Sequence, residues 1–160
     1  MSNPVSPVPR GFHTLTPHIV VRNARQAADF YHAAFGADIM GFSVGPDGKV
    51  MHAQVRIGDS FLMFSDEFPE WGSPSPSTTQ ADTCVRLHLY VEDVDRVFQS
   101  AIAAGAEVLM PVSTQFWGDR YGQLRDPFGH RWSIATHVKD LSEEEMRSAA
   151  EQAMTRMGST

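Results

Sequence analysis

Two stretches of the chain share one layout: HIVVRNARQAADFYHAAFGA, His18 to Ala37, and HLYVEDVDRVFQSAIAAGA, His88 to Ala106. In the first, Thr16 to Arg22 reads as a short β-rich strand, Asn23 as a helix N-cap, and Ala24, Ala27, Ala28, Tyr31 and Phe35 recur at helical spacing until Gly36 stops them. The second gives Arg86 to Glu92 as strand, Asp93 as cap, and Val94, Val97, Phe98, Ala101 and Ile102 at helical spacing before Gly105. Extended segments separated by turn residues follow each glycine. Upstream they are Ile39 to Val44, Val50 to Ile57 and Phe61 to Ser65, broken by PDG and GDS. Downstream they are Glu107 to Pro111, Tyr121 to Arg125 and Arg131 to Thr136, the last two joined by the DPFG turn at Asp126 to Gly129. Each half predicts βαβββ.

Outward from the repeat, residues 1–12 form a Pro-rich tail expected to be disordered. A single domain is expected over 13–137, its modules at 13–65 and 84–137. The Pro/Ser/Thr-rich stretch 66–83 reads as a mobile connector that could act as a lid. Residues 138–160 hold a C-terminal helix, with Ser142 and Glu145 at capping-box spacing and an apolar stripe of Met146, Ala150, Ala153 and Met157. The 160 residues are 42% hydrophobic and 20% charged, enough apolar content for a packed core. A formal charge of -6 argues against nucleic acid and anionic membrane as partners, leaving a small molecule as the expected ligand. One cysteine, Cys84, allows no internal disulfide, and no apolar run reaches the roughly 18 residues of a membrane span. Cytoplasm is the compartment expected.

The paired βαβββ modules, with FYHAAFGA, VEDVD, AAGA and DPFG in place, resemble the vicinal oxygen chelate superfamily of glyoxalase I, bleomycin-resistance proteins and extradiol dioxygenases. The resemblance covers about residues 14 to 137. HAQVRIGDSFLMFSD, His52 to Asp66, and FWGDRYGQLRDPFGHRWSIATH, Phe116 to His137, look like its PhnB-like branch. It implies an α+β fold of two βαβββ modules forming an open sheet around a cleft, plus the C-terminal helix, and a homodimer. It does not by itself name a reaction.

Strand parity selects the residues that would face the cleft, since side chains alternate and the helix-covered face must be apolar. Met51, Ala53, Val55 and Ile57 read as the packed set of their strand, leaving His52, Gln54 and Arg56 opposite. The same rule exposes His18, Arg86, His88 and Tyr90, and further on Asp119, Tyr121, Gln123, Arg125, Arg131 and Ser133. Arg56, Arg86 and Arg125 then face Asp119 as the main acid, so the cleft is expected to be positive and to suit an anionic or enolisable ligand. In WGDRYG, Asp119 and Arg120 sit among aromatics in a turn-rich segment where packing alone rarely asks for them. The ligand-binding set expected is Gln54, Arg56, Arg86, Tyr90, Trp117, Arg120, Tyr121 and Arg125, with His52 and Asp119 as proton carriers.

The resemblance further implies metal ligands on the first and last strands of each module. His18 and His88 sit on first strands, while the last-strand positions near Leu62 and Ser133 supply no carboxylate. Three readings stay open: a glyoxalase or bleomycin-resistance-like protein that binds a small anionic organic molecule without a cofactor; a lyase, isomerase or epimerase with a divalent metal on His18 and His88, acting on vicinal oxygens; and a metal-free enzyme in which arginines stabilise an enolate.

Overall fold

The computed structural model describes residues 5–158. Residues 1–4 of the expected disordered tail, and 159–160 at the other end, lie outside the described residues. The chain divides into two compact units between Thr83 and Cys84.

The first unit runs β1 (His18–Val21), α1 (Ala24–Phe35), β2 (Asp38–Val44), β3 (Val50–Ile57) and β4 (Ser60–Asp66). These strands form a four-stranded sheet in the order β1-β4-β3-β2, with β1 parallel to β4 and the other pairs antiparallel. The Asn23 side chain accepts from the Gln26 amide, and Gly36 ends α1 in the left-handed region at φ 67°, both as the sequence predicts. Asp66, at the end of β4, holds the unit together: one carboxylate oxygen accepts from the Ala24 amide that opens α1, the other from the Val50 amide that opens β3, each at 2.7 Å. Tyr31, Phe64, Val21, Val50 and Val55 fill the core under α1. β1 starts after Pro17, two residues later than expected, because proline has no amide for the ladder. Met51 is exposed rather than packed. The register shift between Ser43 and Val44 leaves Met51 as the extra residue of β3 with no partner on β2, and Val50 takes the buried place instead.

The stretch expected to be a mobile connector folds onto this unit. It forms a 3-10 turn at Pro69–Trp71 and a short helix, α2 (Pro76–Thr79). Glu67 accepts from the Ser75 amide at 3.0 Å and from the Thr78 hydroxyl at 2.8 Å, and Ser75 is fully buried. Upstream, Phe12 stacks on Phe61 with ring centroids 4.3 Å apart.

The second unit repeats the plan: β5 (Arg86–Tyr90), α3 (Val94–Ala103), β6 (Glu107–Thr114), β7 (Asp119–Arg125) and β8 (Arg131–His137), in the order β5-β8-β7-β6. Asp93 caps α3 by accepting from the Arg96 amide. Thr136 takes the place that Asp66 has in the first unit, accepting from the Val94 amide and donating to the Val91 carbonyl, both at 2.9 Å. β6 continues through Pro111 to Thr114. It can do so because it is an edge strand with a register shift between Met110 and Ser113. In the DPFG turn, buried Asp126 accepts from the Phe128 and His130 amides and from the Trp132 indole. α4 (Glu143–Met157) opens with the expected capping box of Ser142 and Glu145. Met146, Ala150 and Ala153 of its stripe are half-buried and Met157 is exposed. Among the described residues no helix is long and apolar enough to cross a membrane.

Candidate functional site

The helices define which face of each sheet is open. In the first unit Tyr31 of α1 packs edge-on against Phe64, so the register turns His18, Met63 and Gln54 away from the helix as one cross-strand row ending at Gly41. In the second, a Cβ at Gly122 would press on Phe98 of α3, so the odd-numbered residues of β7 face away. There the corresponding row is His88, Ser133, Gln123 and Met110. One sheet thus repeats the other: histidine on the first strand, glutamine on the third.

The flanking rows explain the arginines. In the first unit Asp38, Arg56 and Phe61 are in register, and Arg56 bonds Asp38 at 2.7 Å. In the second, Glu107, Arg125, Arg131 and Arg86 are in register, and Arg125 bonds Glu107 at 2.9 Å. Arg56 and Arg125 therefore each face an acid on the neighbouring strand, which corrects the expectation that Asp119 is the main acid among them. Arg120 is also corrected. It lies on the helix side of β7 and grips Asp95 of α3 with two bonds, at 2.6 and 2.7 Å. The partner shift is mutual, Asp95 being held below the usual carboxylate range by that hydrogen bond.

Arg86 has a different environment. It donates to the Tyr121 hydroxyl at 3.3 Å and stands beside Arg131. Around it, on the open face of the second sheet, the rings converge. His88 meets Tyr90 edge-on at 4.5 Å and lies nearly parallel to Tyr121 at 6.0 Å, while Trp117 meets Tyr121 edge-on at 5.4 Å. His88 Nδ1 shares a 2.7 Å hydrogen bond with the Ser133 hydroxyl. Burial holds the His88 pKa below the ordinary histidine value; the Asp119 charge pulls it up and Arg86 pushes it down. The imidazole is therefore neutral at neutral pH and leaves the positive charge here to arginine.

Asp119 closes the far end of this face. One oxygen accepts from the Tyr90 hydroxyl at 3.2 Å and the Trp117 indole at 3.1 Å, the other from His137 at 2.7 Å. Asp119 is 4% exposed, with both oxygens engaged, so the geometry suits orienting its neighbours rather than carrying a proton to a ligand. His137, which sequence reasoning left out of the site, also bonds Asp140 at 2.9 Å, and these two contacts raise its pKa above the ordinary value. Continued parity along β8 from Arg131 to Ser133 could have found it; Asp140, in the following coil, carries no such signal.

His52 lies across from Ser43 on the open face of the first sheet and meets His18 edge-on at 6.0 Å. Burial, then the His52 charge, lowers the His18 pKa. The last-strand neighbours of His18 and His88 are Met63 and Ser133. Among the described residues no group of three histidine, cysteine or carboxylate side chains is placed to hold a metal ion. A thioether and a hydroxyl bring no charge compensation, so these donors do not fit a divalent cation.

A family model for the glyoxalase/bleomycin resistance protein/dioxygenase superfamily matches residues 11–134. The chain belongs to that superfamily. Its paired βαβββ units and C-terminal helix are the fold expected of a vicinal oxygen chelate protein. An uncharacterised protein of Mycobacterium bovis is 44% identical over 137 residues, which is 84% of this chain and 90% of that protein. The PhnB protein of Bacillus cereus superposes with a TM-score of 0.61 at 21% identity, over 78% of this chain and 99% of that one. FosX, the fosfomycin resistance protein of Listeria monocytogenes, solved with Mn(II) and a dihydroxypropylphosphonic acid, superposes with a TM-score of 0.58 at 17% identity, over 82% of this chain and 91% of that one. Likeness at these identities speaks to the superfamily fold, and the site must be argued from this chain's own residues.

Proposed function

We propose that this superfamily member binds a small organic anion, without a metal, on the open face of its second sheet. The alignment of Arg86 with Arg131, beside the Arg125–Glu107 pair, carries the reading, because the duplicated first sheet acts as an internal control. Both sheets keep the acid-arginine pair and the histidine-glutamine row, which marks those features as parts of the repeated scaffold. The second sheet alone adds arginines beside them; in the first, Phe61 stands where Arg131 does and is stacked by Phe12. Along the row itself one acid, Glu107, stands in register with three arginines, on a protein whose formal charge is -6. Guanidinium forks match the paired oxygens of a carboxylate or phosphonate.

The other groups have supporting roles in this reading. The Tyr121 hydroxyl, which also accepts from the Gln123 amide at 3.1 Å, orients Arg86 toward the ligand. Asp119 positions Tyr90 and Trp117 and does not touch the ligand. The metal-dependent lyase or isomerase reading gains no support from the donor set, and Arg56, Arg120 and Arg125 are assigned to structure.

Calorimetric titration of the full chain with carboxylates and phosphonates tests the proposal. Losing one charge-assisted contact is worth about 1.5–3 kcal/mol, so Arg86→Gln should weaken binding by roughly ten- to a hundredfold. Arg56→Gln should leave it within about twofold. Equal binding by wild type and Arg86→Gln would sink the proposal.

A further inference from the structure

We infer that the bound anion is an arene carboxylate or a close relative, a planar aromatic ring bearing its charge directly, which rests on the anion-binding reading above and narrows it. The first observation is where the charge sits. Three residue pairs lie between the arginine row and the row of Tyr90 and Tyr121, which places the two rows about 13 Å apart along the strand. Yet the Arg86 guanidinium and the Tyr121 hydroxyl span that distance and meet at 3.3 Å. The anion-binding group therefore stands at the rim of the aromatic cluster, and a ligand lying on that cluster would meet it with no spacer.

The second observation is that the rings are preset. The Tyr90 hydroxyl and the Trp117 indole N–H donate to the same Asp119 oxygen, which ties down the polar end of each ring and leaves its apolar body to be covered. Tyr90 is 62% exposed and Phe116 is 41% exposed, although Tyr90 sits on a strand beside a buried core. Holding exposed rings in fixed orientation lowers the entropy lost on binding a flat partner, and it serves an elongated aliphatic ligand poorly.

The third is again the internal control. At the place of Tyr121 the first sheet has His52, paired with Ser43 where the second sheet pairs Tyr121 with Ser113. At the place of Tyr90 it has Val20, paired with Ser65 where Tyr90 pairs with Ala135. The aromatic cluster and the extra arginines are thus found together in one copy of the repeat, as expected if both serve one ligand.

A matched ligand series read by calorimetry or NMR on the full chain tests this. Benzoate, cyclohexanecarboxylate, 4-phenylbutanoate and neutral benzamide separate charge, planarity and spacer length. Benzoate should bind about tenfold tighter than cyclohexanecarboxylate, which has the same charge and nearly the same size. The spacer of 4-phenylbutanoate should forfeit that gain, and Tyr90→Leu should bring the benzoate-to-cyclohexanecarboxylate ratio close to one. Benzoate and cyclohexanecarboxylate binding equally, each weakened by Arg86→Gln, would overturn the aromatic inference while leaving the anion reading in place. Benzamide matching benzoate, or no anion binding at all, would overturn both.

Discussion

Asp119 shows how one buried carboxylate can organise a face without reacting on it. It collects Tyr90, Trp117 and His137, and through His137 reaches Asp140 in the coil that leads to α4. A neutral imidazole has one N–H and cannot donate to both acids, so the two contacts together favour the protonated His137 ring. Its folded-state pKa is raised, chiefly by the Asp119 bond and then by Asp140, from an ordinary value of 6.5. The stability it adds is fully present below pH 6.5 and is lost as pH rises through the raised folded value. NMR titration should therefore show His137 titrating above 6.5, and Asp140→Asn should move it back toward that value. An unchanged midpoint in the variant would mean that Asp140 contributes nothing. His88 should titrate on the other side of the ordinary value in the same spectra.

At the scale of elements, the duplicated units reach one architecture with different atoms. Asp66 braces α1 from the last strand with a carboxylate; Thr136 braces α3 with a hydroxyl. The acid-arginine pair in each β-hairpin is a direct cross-strand pair that sits just before a register shift. Close packing of α3 on the second sheet depends on a missing side chain. A Cβ at Gly122 would lie 2.9 Å from both Phe98 and Val112, with the Met110 carbonyl at 3.2 Å. Gly122→Ala should cost about 1–3 kcal/mol, lowering the melting temperature by several degrees in a thermal scan. Gly48→Ala, with open space around its Cβ but a left-handed φ of 82°, should cost less, about 1 kcal/mol. The reverse order would mean that the α3 interface relaxes more readily than its contacts suggest.

For the whole molecule, the donor set bears on whether the superfamily fold holds a metal here. Neither first-strand histidine has a carboxylate opposite it on the last strand of its own sheet. Protein purified without chelators should therefore contain no stoichiometric divalent metal by elemental analysis, and a chelator should shift neither its melting temperature nor its affinity for carboxylates. Stoichiometric metal lost in His18→Ala/His88→Ala would return the metal-dependent lyase or isomerase reading to first place.

The order of elements, the caps at Asn23, Asp93 and Ser142 and the stop at Gly36 are local properties, determined by side chains within a turn or so of where they act, and for that reason they are readable from the sequence alone. So is the split of His18, Gln54, Arg86, His88 and Tyr121 from the apolar set, because alternation along a strand needs no knowledge of the neighbouring strand. Partnership does need it. Whether Arg125 meets Asp119 or Glu107, whether Met51 or Val50 is buried, and whether Trp117 and Tyr90 share one oxygen all depend on register and bulges between segments distant in sequence. Arg120 illustrates the difference: a motif in a turn-rich segment suggested a ligand contact, and the pleat at β7 turned it toward Asp95. Sequence alone thus established a duplicated βαβββ chain with a polar face opposite each helix, and tertiary structure decided which of those polar groups are already paired, since hydrogen bonds between strands are set by their alignment in space.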